Sequence, residues 1–68
     1  MFDKMKFKSA LALRGYSAAR LSRELGVTTM TMSLKTTGKR EFTRGEIVNI
    51  QRILGLSKDE RDDIFFGD

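Results

Sequence analysis

The 68-residue sequence contains no cysteine, no histidine and no proline. Without cysteine it has neither a disulfide framework nor a thiolate metal site. Without histidine it lacks the usual general base near neutral pH and the commonest metal ligand. There is no glycine-rich phosphate loop, and a chain this short has little volume in which to enclose a pocket. Catalysis, a metal, a cofactor and a small-molecule substrate are therefore not expected. No apolar run approaches the ~20 residues of a membrane span. The opening Met1-Phe2-Asp3-Lys4 leads into no apolar stretch of the signal-peptide kind. The expectation is a cytoplasmic protein without a membrane partner, folded as one domain over 1–68 around one core.

The charge is unevenly spread. Thirteen Lys and Arg stand against nine Asp and Glu, a net charge of +4. Residues 1–54 hold eleven basic and four acidic residues, a balance of +7, while residues 55–68 hold two basic and five acidic, a balance of −3. A basic body with an acidic tail suits a polyanionic partner on one face. Ordinary surface solubility is the plainer alternative.

Glycines punctuate the chain. Gly15, Gly26, Gly38 and Gly55 each follow a segment of helical length, and glycine ends helices because it reaches left-handed backbone cheaply. Ser17, Thr28, Thr43 and Ser57 follow them as N-cap residues, whose side-chain oxygens accept from free backbone N–H groups. Thr43-Arg44-Gly45-Glu46 and Ser57-Lys58-Asp59-Glu60 read as capping boxes, and Phe42 with Ile47 has the spacing of a hydrophobic staple. These signals predict five helices, roughly 3–14, 17–25, 28–36, 43–54 and 58–66, joined by short connections into an all-α bundle.

Apolar spacing assigns the core faces. The first helix offers Met5, Leu11 and Leu13, with Ala10 and Ala12 as close-contact sites and Phe2 and Phe7 beside them. The second offers Leu21 and Leu25, the fourth Ile47, Ile50 and Leu54 flanked by Val48 and Ile53, and the fifth Ile64, Phe65 and Phe66. One segment points elsewhere. From Thr29 to Leu34 polar and apolar residues alternate strictly, which is the period of a strand. The context on both sides overrides that reading in favour of a helix.

That context is the run from Ser17 to Met32. Two helices meeting through a tight turn need a small residue where they cross, a turn residue tolerant of positive φ, and apolar residues bracketing the turn. Ser22 is the small residue, Gly26 the turn residue, and Leu21, Leu25, Val27 and Met32 the bracket, with Thr28 opening the next helix. Here the sequence resembles the Cro and phage-repressor (XRE-type) helix-turn-helix family. Thr37-Gly38-Lys39-Arg40-Glu41-Phe42-Thr43 is similar to the loop that follows the recognition helix in that family. Gly45 to Leu56 resembles its fourth helix, and Asp62-Asp63-Ile64-Phe65-Phe66 resembles the ending of small repressors from phages of Gram-positive hosts. Three positions depart from the pattern. Ser22 stands where alanine is usual, Lys35 where a large apolar residue is frequent, and Ala18 where a phosphate-touching glutamine often sits.

The resemblance implies a lambda-repressor-like domain that binds double-stranded operator DNA, with helix 28–36 in the major groove. The base-contacting residues would be Thr28, Thr29, Met30, Ser33 and Leu34. None carries a charge, so readout would rely on the Thr29 and Ser33 hydroxyls and on apolar contact of Met30 and Leu34 with thymine methyls. For Met30 and Leu34 a place in the core is the alternative, whereas Met32 is expected in the core. Phosphate contacts would come from Lys39 and Arg40 in the loop, from Thr43 and Arg44 at the start of the fourth helix, and from Ser17 at the start of the second. For Lys39 and Arg40 a merely solvated loop is the alternative. Lys4, Lys6, Lys8 and Arg14 would add only general field.

Members of the family act as two-fold homodimers on palindromic sites. The Phe65–Phe66 pair is one candidate contact, since two successive side chains cannot both face one core; the unburied one would cover a partner or cap the bundle. The implied role is a transcriptional regulator, a Cro- or repressor-like protein, in the cytoplasm of a bacterial or phage-infected cell. The rival reading is a protein-interaction module, an antirepressor or antitoxin-like partner, whose uncharged third helix binds another protein.

Overall fold

Five helices form, and each begins at a side chain that accepts from the backbone of its own first turn. In the computed structural model, which describes residues 1–67, they are α1 (Lys4–Leu13), α2 (Ala18–Leu25), α3 (Thr29–Thr36), α4 (Arg44–Leu54) and α5 (Lys58–Phe65). Their N-caps are Asp3, Ser17, Thr28, Thr43 and Ser57. Both capping boxes are complete, with Glu46 and Glu60 returning a bond to the Thr43 and Ser57 N–H groups. No strand occurs among the described residues, and the alternating segment 29–34 is helical. The Thr28 cap and the burial of Met32 outweigh the low helix propensity of its threonines. Asp68, one of the acids in the tail balance, lies outside the described residues.

Gly26 makes the turn between α2 and α3. Its φ of +83 lets its own N–H and that of Val27 both donate to the Ser22 carbonyl, at 2.9 and 3.0 Å. Ser22 itself is buried, and its hydroxyl is satisfied by the Ala18 carbonyl at 2.7 Å. A hydroxyl therefore stands at the crossing without leaving a polar atom unpaired.

The helices enclose one core, to which α1 gives Phe7 and Leu11, α2 Leu21, α3 Met32, α4 Ile50 and α5 Ile64. α2 packs on both α3 and α4, and α5 packs on α1 and α4. The whole is compact, 27 × 25 × 21 Å. Four phenylalanines far apart in sequence, Phe2, Phe7, Phe42 and Phe65, form a single aromatic cluster with every pair of ring centroids 5.2 to 6.2 Å apart. Tilted and edge-on pairs of this kind add stability beyond the area they bury. They join the first half of α1 and the residue before its cap, the end of α5, and the residue preceding the α4 cap.

The face expected of α1 is corrected. Met5 and Leu13 are 76% and 80% exposed, and Ala12 is exposed, whereas Phe7, Ala10 and Leu11 are buried. Apolar residues ring this helix, so spacing leaves its phase open, and the bulky Phe7 sets it. Val48 also faces solvent, Phe66 is 60% exposed while Phe65 is buried, and Leu56 joins the core from the turn after α4.

Candidate functional site

The surface of α3 is uncharged. Met32 and Lys35 point inward, and Leu34 is half-buried. Thr29, Met30 and Ser33 are exposed, Met30 by 74%. Of the two residues left open between core and surface, Met30 is therefore on the surface and Leu34 is intermediate. The Thr28 hydroxyl accepts from the Thr31 N–H and also pairs with the Thr31 hydroxyl, each at 3.0 Å. Thr36 and Thr37 turn their hydroxyls onto the Ser33 carbonyl at 3.1 and 2.8 Å. The hydroxyls of Thr29 and Ser33 make no such internal bond among the described residues, so both remain available to a ligand.

The basic loop hangs from the end of this helix. The Leu34 carbonyl accepts from the backbone N–H groups of both Lys39 and Arg40, at 3.0 and 3.1 Å. Gly38, at φ +84, allows the reversal that brings them back. The backbone of the loop is thus tied to the last turn of α3, while the Lys39 and Arg40 side chains are exposed to solvent. At its far end, Thr43 and Arg44 are exposed at the start of α4. The Thr43 hydroxyl accepts from the Glu46 N–H at 3.1 Å. Ser17 is exposed at the start of α2 and accepts from the Arg20 N–H at 3.1 Å.

Ion pairing sorts the cations into two groups. Lys6 binds Asp63, Arg14 binds Glu60 and Arg61 binds Asp62, so three acids of the C-terminal segment are engaged by neighbouring bases. Arg20 pairs with Glu24 and lies over the Tyr16 ring at 4.2 Å. Lys39, Arg40 and Arg44 enter no ion pair among the described residues, and neither do Lys4, Lys8 and Arg23. Lys39 and Arg40 thus bring unpaired positive charge into the loop that follows α3. Arg14 is corrected from general field to a structural tie: its guanidinium donates to the Leu54 carbonyl at 2.6 Å as well as to Glu60.

Lys35 is the residue that local sequence rules missed. It is 5% exposed, and its ammonium reaches Glu46 Oε1 at 2.8 Å and the Glu41 carbonyl at 3.1 Å. The same Oε1 accepts the Thr43 N–H at 2.8 Å. Burial by itself raises the Glu46 carboxyl, but the Lys35 ammonium and the Thr43 N–H outweigh it and hold the group below its ordinary value of 4.5. The capping box announced Glu46. Its second partner, eleven residues back across a loop, had no signal beyond the polar residue at an inward position.

A groove of about 720 Å³ opens beside the loop, between the start of α1, the ends of α3 and α5, and Phe42. Phe2, Phe42 and Phe65 line it, with Met1 and Phe66 exposed at its side. Among the described residues no cluster of three acidic or other ligating side chains could hold a metal ion, and no helix is long and apolar enough to cross a membrane. The chain matches no protein-family profile, and no curated protein or solved structure is significantly similar to it.

Proposed function

We propose that this chain binds double-stranded DNA through α3 and the loop that follows, as a transcriptional regulator of the Cro and phage-repressor type with a lambda-repressor-like helix-turn-helix in α2 and α3. The observation that carries the reading is an exposed, uncharged helix face followed directly by a loop of exposed, unpaired cations whose backbone is tied to the last turn of that helix. Thr29, Met30 and Ser33 offer two unengaged hydroxyls and one apolar tip, a set suited to base edges and thymine methyls. Lys39 and Arg40, whose N–H groups bond the Leu34 carbonyl, and Arg44 at the start of α4 supply phosphate contacts. Thr28 acts as the cap that starts the reading helix, and Leu34 supports its base. Ser17 and Thr43 offer helix N-termini to phosphates.

One such helix reads only a few base pairs, so the operator is read by two copies related by two-fold symmetry. Phe66, exposed beside the groove, is the candidate contact between them. The working location is the cytoplasm, at the DNA.

A second reading has its own support. The groove with its phenylalanine lining, and the exposed Met30, would suit a protein partner instead. Binding of a random duplex at two salt concentrations separates the two. The DNA reading predicts binding at low salt that weakens steeply as salt rises. No binding at low salt favours the protein partner.

A further inference from the structure

Lys35 is the only charged side chain in the buried interior among the described residues. Its place there needs a reason, because removing an ammonium from water is costly. Replacing a buried ion pair by apolar groups of similar volume is often neutral or stabilising. Stability alone therefore does not account for a lysine at this position. Geometry does. The Lys35 ammonium bonds Glu46 in the first turn of α4 and the Glu41 carbonyl within the loop, and lies 5.9 Å from the centre of the Phe42 ring. The preceding residue, Leu34, accepts the N–H groups of Lys39 and Arg40. Two consecutive residues of α3 thus hold the middle of the loop, Leu34 by its carbonyl at Lys39 and Arg40 and Lys35 by its ammonium at Glu41, and Lys35 also ties α3 to the first turn of α4. An apolar side chain in place of Lys35 would fill the space without dictating a register between α3 and α4.

We infer that Lys35 is a positioning residue for DNA binding: buried and out of reach of any phosphate, it fixes the loop 37–43 so that Lys39 and Arg40 stand beside the exposed face of α3. The inference rests on the DNA reading above. It differs from a simple charge effect, because Lys35 and Glu46 neutralise each other and add nothing to the field of the protein.

The test uses the double variant K35M/E46Q, which removes one charge of each sign and leaves the net charge at +4. It retains an acceptor for the capping box and fills the lysine's space. Affinity for a random duplex is measured against salt, and urea denaturation establishes that the variant is folded. The expected result is a folded protein whose low-salt affinity falls about tenfold and whose salt slope falls by about one to two units, as one or two phosphate contacts are lost. A folded variant that keeps the wild-type slope overturns the inference. The single variant E46Q leaves the Lys35 ammonium only a neutral acceptor in α4, which loosens its hold, and serves where the double variant does not fold. It raises the net charge, so field alone would tighten binding, whereas loss of loop position weakens it; tighter binding overturns the inference. If the wild-type protein does not bind the duplex, the DNA reading itself fails and the inference goes with it. If the wild type binds and neither variant is impaired, only the inference fails.

Discussion

The guanidinium of Arg14 donates to the carbonyl of Leu54 at 2.6 Å, so a charge at the end of α1 closes the C-terminal end of α4. A second arm of the same group reaches Glu60 in α5 at 2.9 Å. Three helices meet at this side chain, where a cation also complements the negative end of the α4 dipole. Arg40 is its opposite, a cation in no ion pair among the described residues.

The two arginines are therefore predicted to fail differently. R14A should lower the unfolding free energy by about 2 kcal/mol, the worth of a hydrogen bond to a charged group plus an orphaned carbonyl, with the salt slope of DNA binding unchanged. R40A should leave stability within about 0.5 kcal/mol and reduce the salt slope by about one unit on specific and random DNA alike. Urea denaturation and binding at several salt concentrations check both.

Much of the fold was legible because it is written in local chemistry. Caps at Ser17, Thr28, Thr43 and Ser57 and the turn glycines place the helices to within a residue or two, since each cap is satisfied within its own first turn. The phase of α1 was not legible, because Met5, Ala12 and Leu13 compete with Phe7, Ala10 and Leu11 on apolarity alone. The roles of Arg14 and Lys35 were hidden for another reason. Their partners lie 46 and 11 residues away, and nothing local distinguishes a cation that ties helices from one that faces solvent. At the candidate site the sequence pointed to the loop and the helix face, but not to the backbone bonds that tie the loop to the last turn of α3.

Met30 and Met32 provide a contrast two residues apart on one helix. M32A should cost about 2–5 kcal/mol, since its side chain is 1% exposed. M30A should change stability by less than about 0.5 kcal/mol, and should shift base preference at one operator position by about 1–3 kcal/mol. Denaturation curves and selection from a random DNA pool measure the two effects.

At Gly26 backbone and space separate cleanly. A Cβ there would meet nothing within 4 Å, so only the left-handed backbone resists a side chain. G26A should therefore cost about 1–2 kcal/mol, the penalty of that conformation for an L-residue. A loss beyond about 3 kcal/mol would mean that the turn is packed as well as bent, and urea denaturation measures it.

Acid should loosen the junction of α3 and α4. The Lys35 and Thr43 bonds hold Glu46 below 4.5 against the opposing effect of burial, so its contribution to stability is full above that value and fades as pH falls through the lowered one. Stability should decline below about pH 4.5, and E46Q should make that decline shallower. Denaturation midpoints at pH 3 to 7 for both proteins provide the comparison.

The most direct measurement is an amide NMR titration of the protein with a short random duplex at low salt. Shift changes concentrated at Thr29, Met30, Ser33, Lys39, Arg40 and Arg44 are the predicted result. An unchanged spectrum, or changes centred on Met1, Phe42 and Phe66 around the groove, would contradict it.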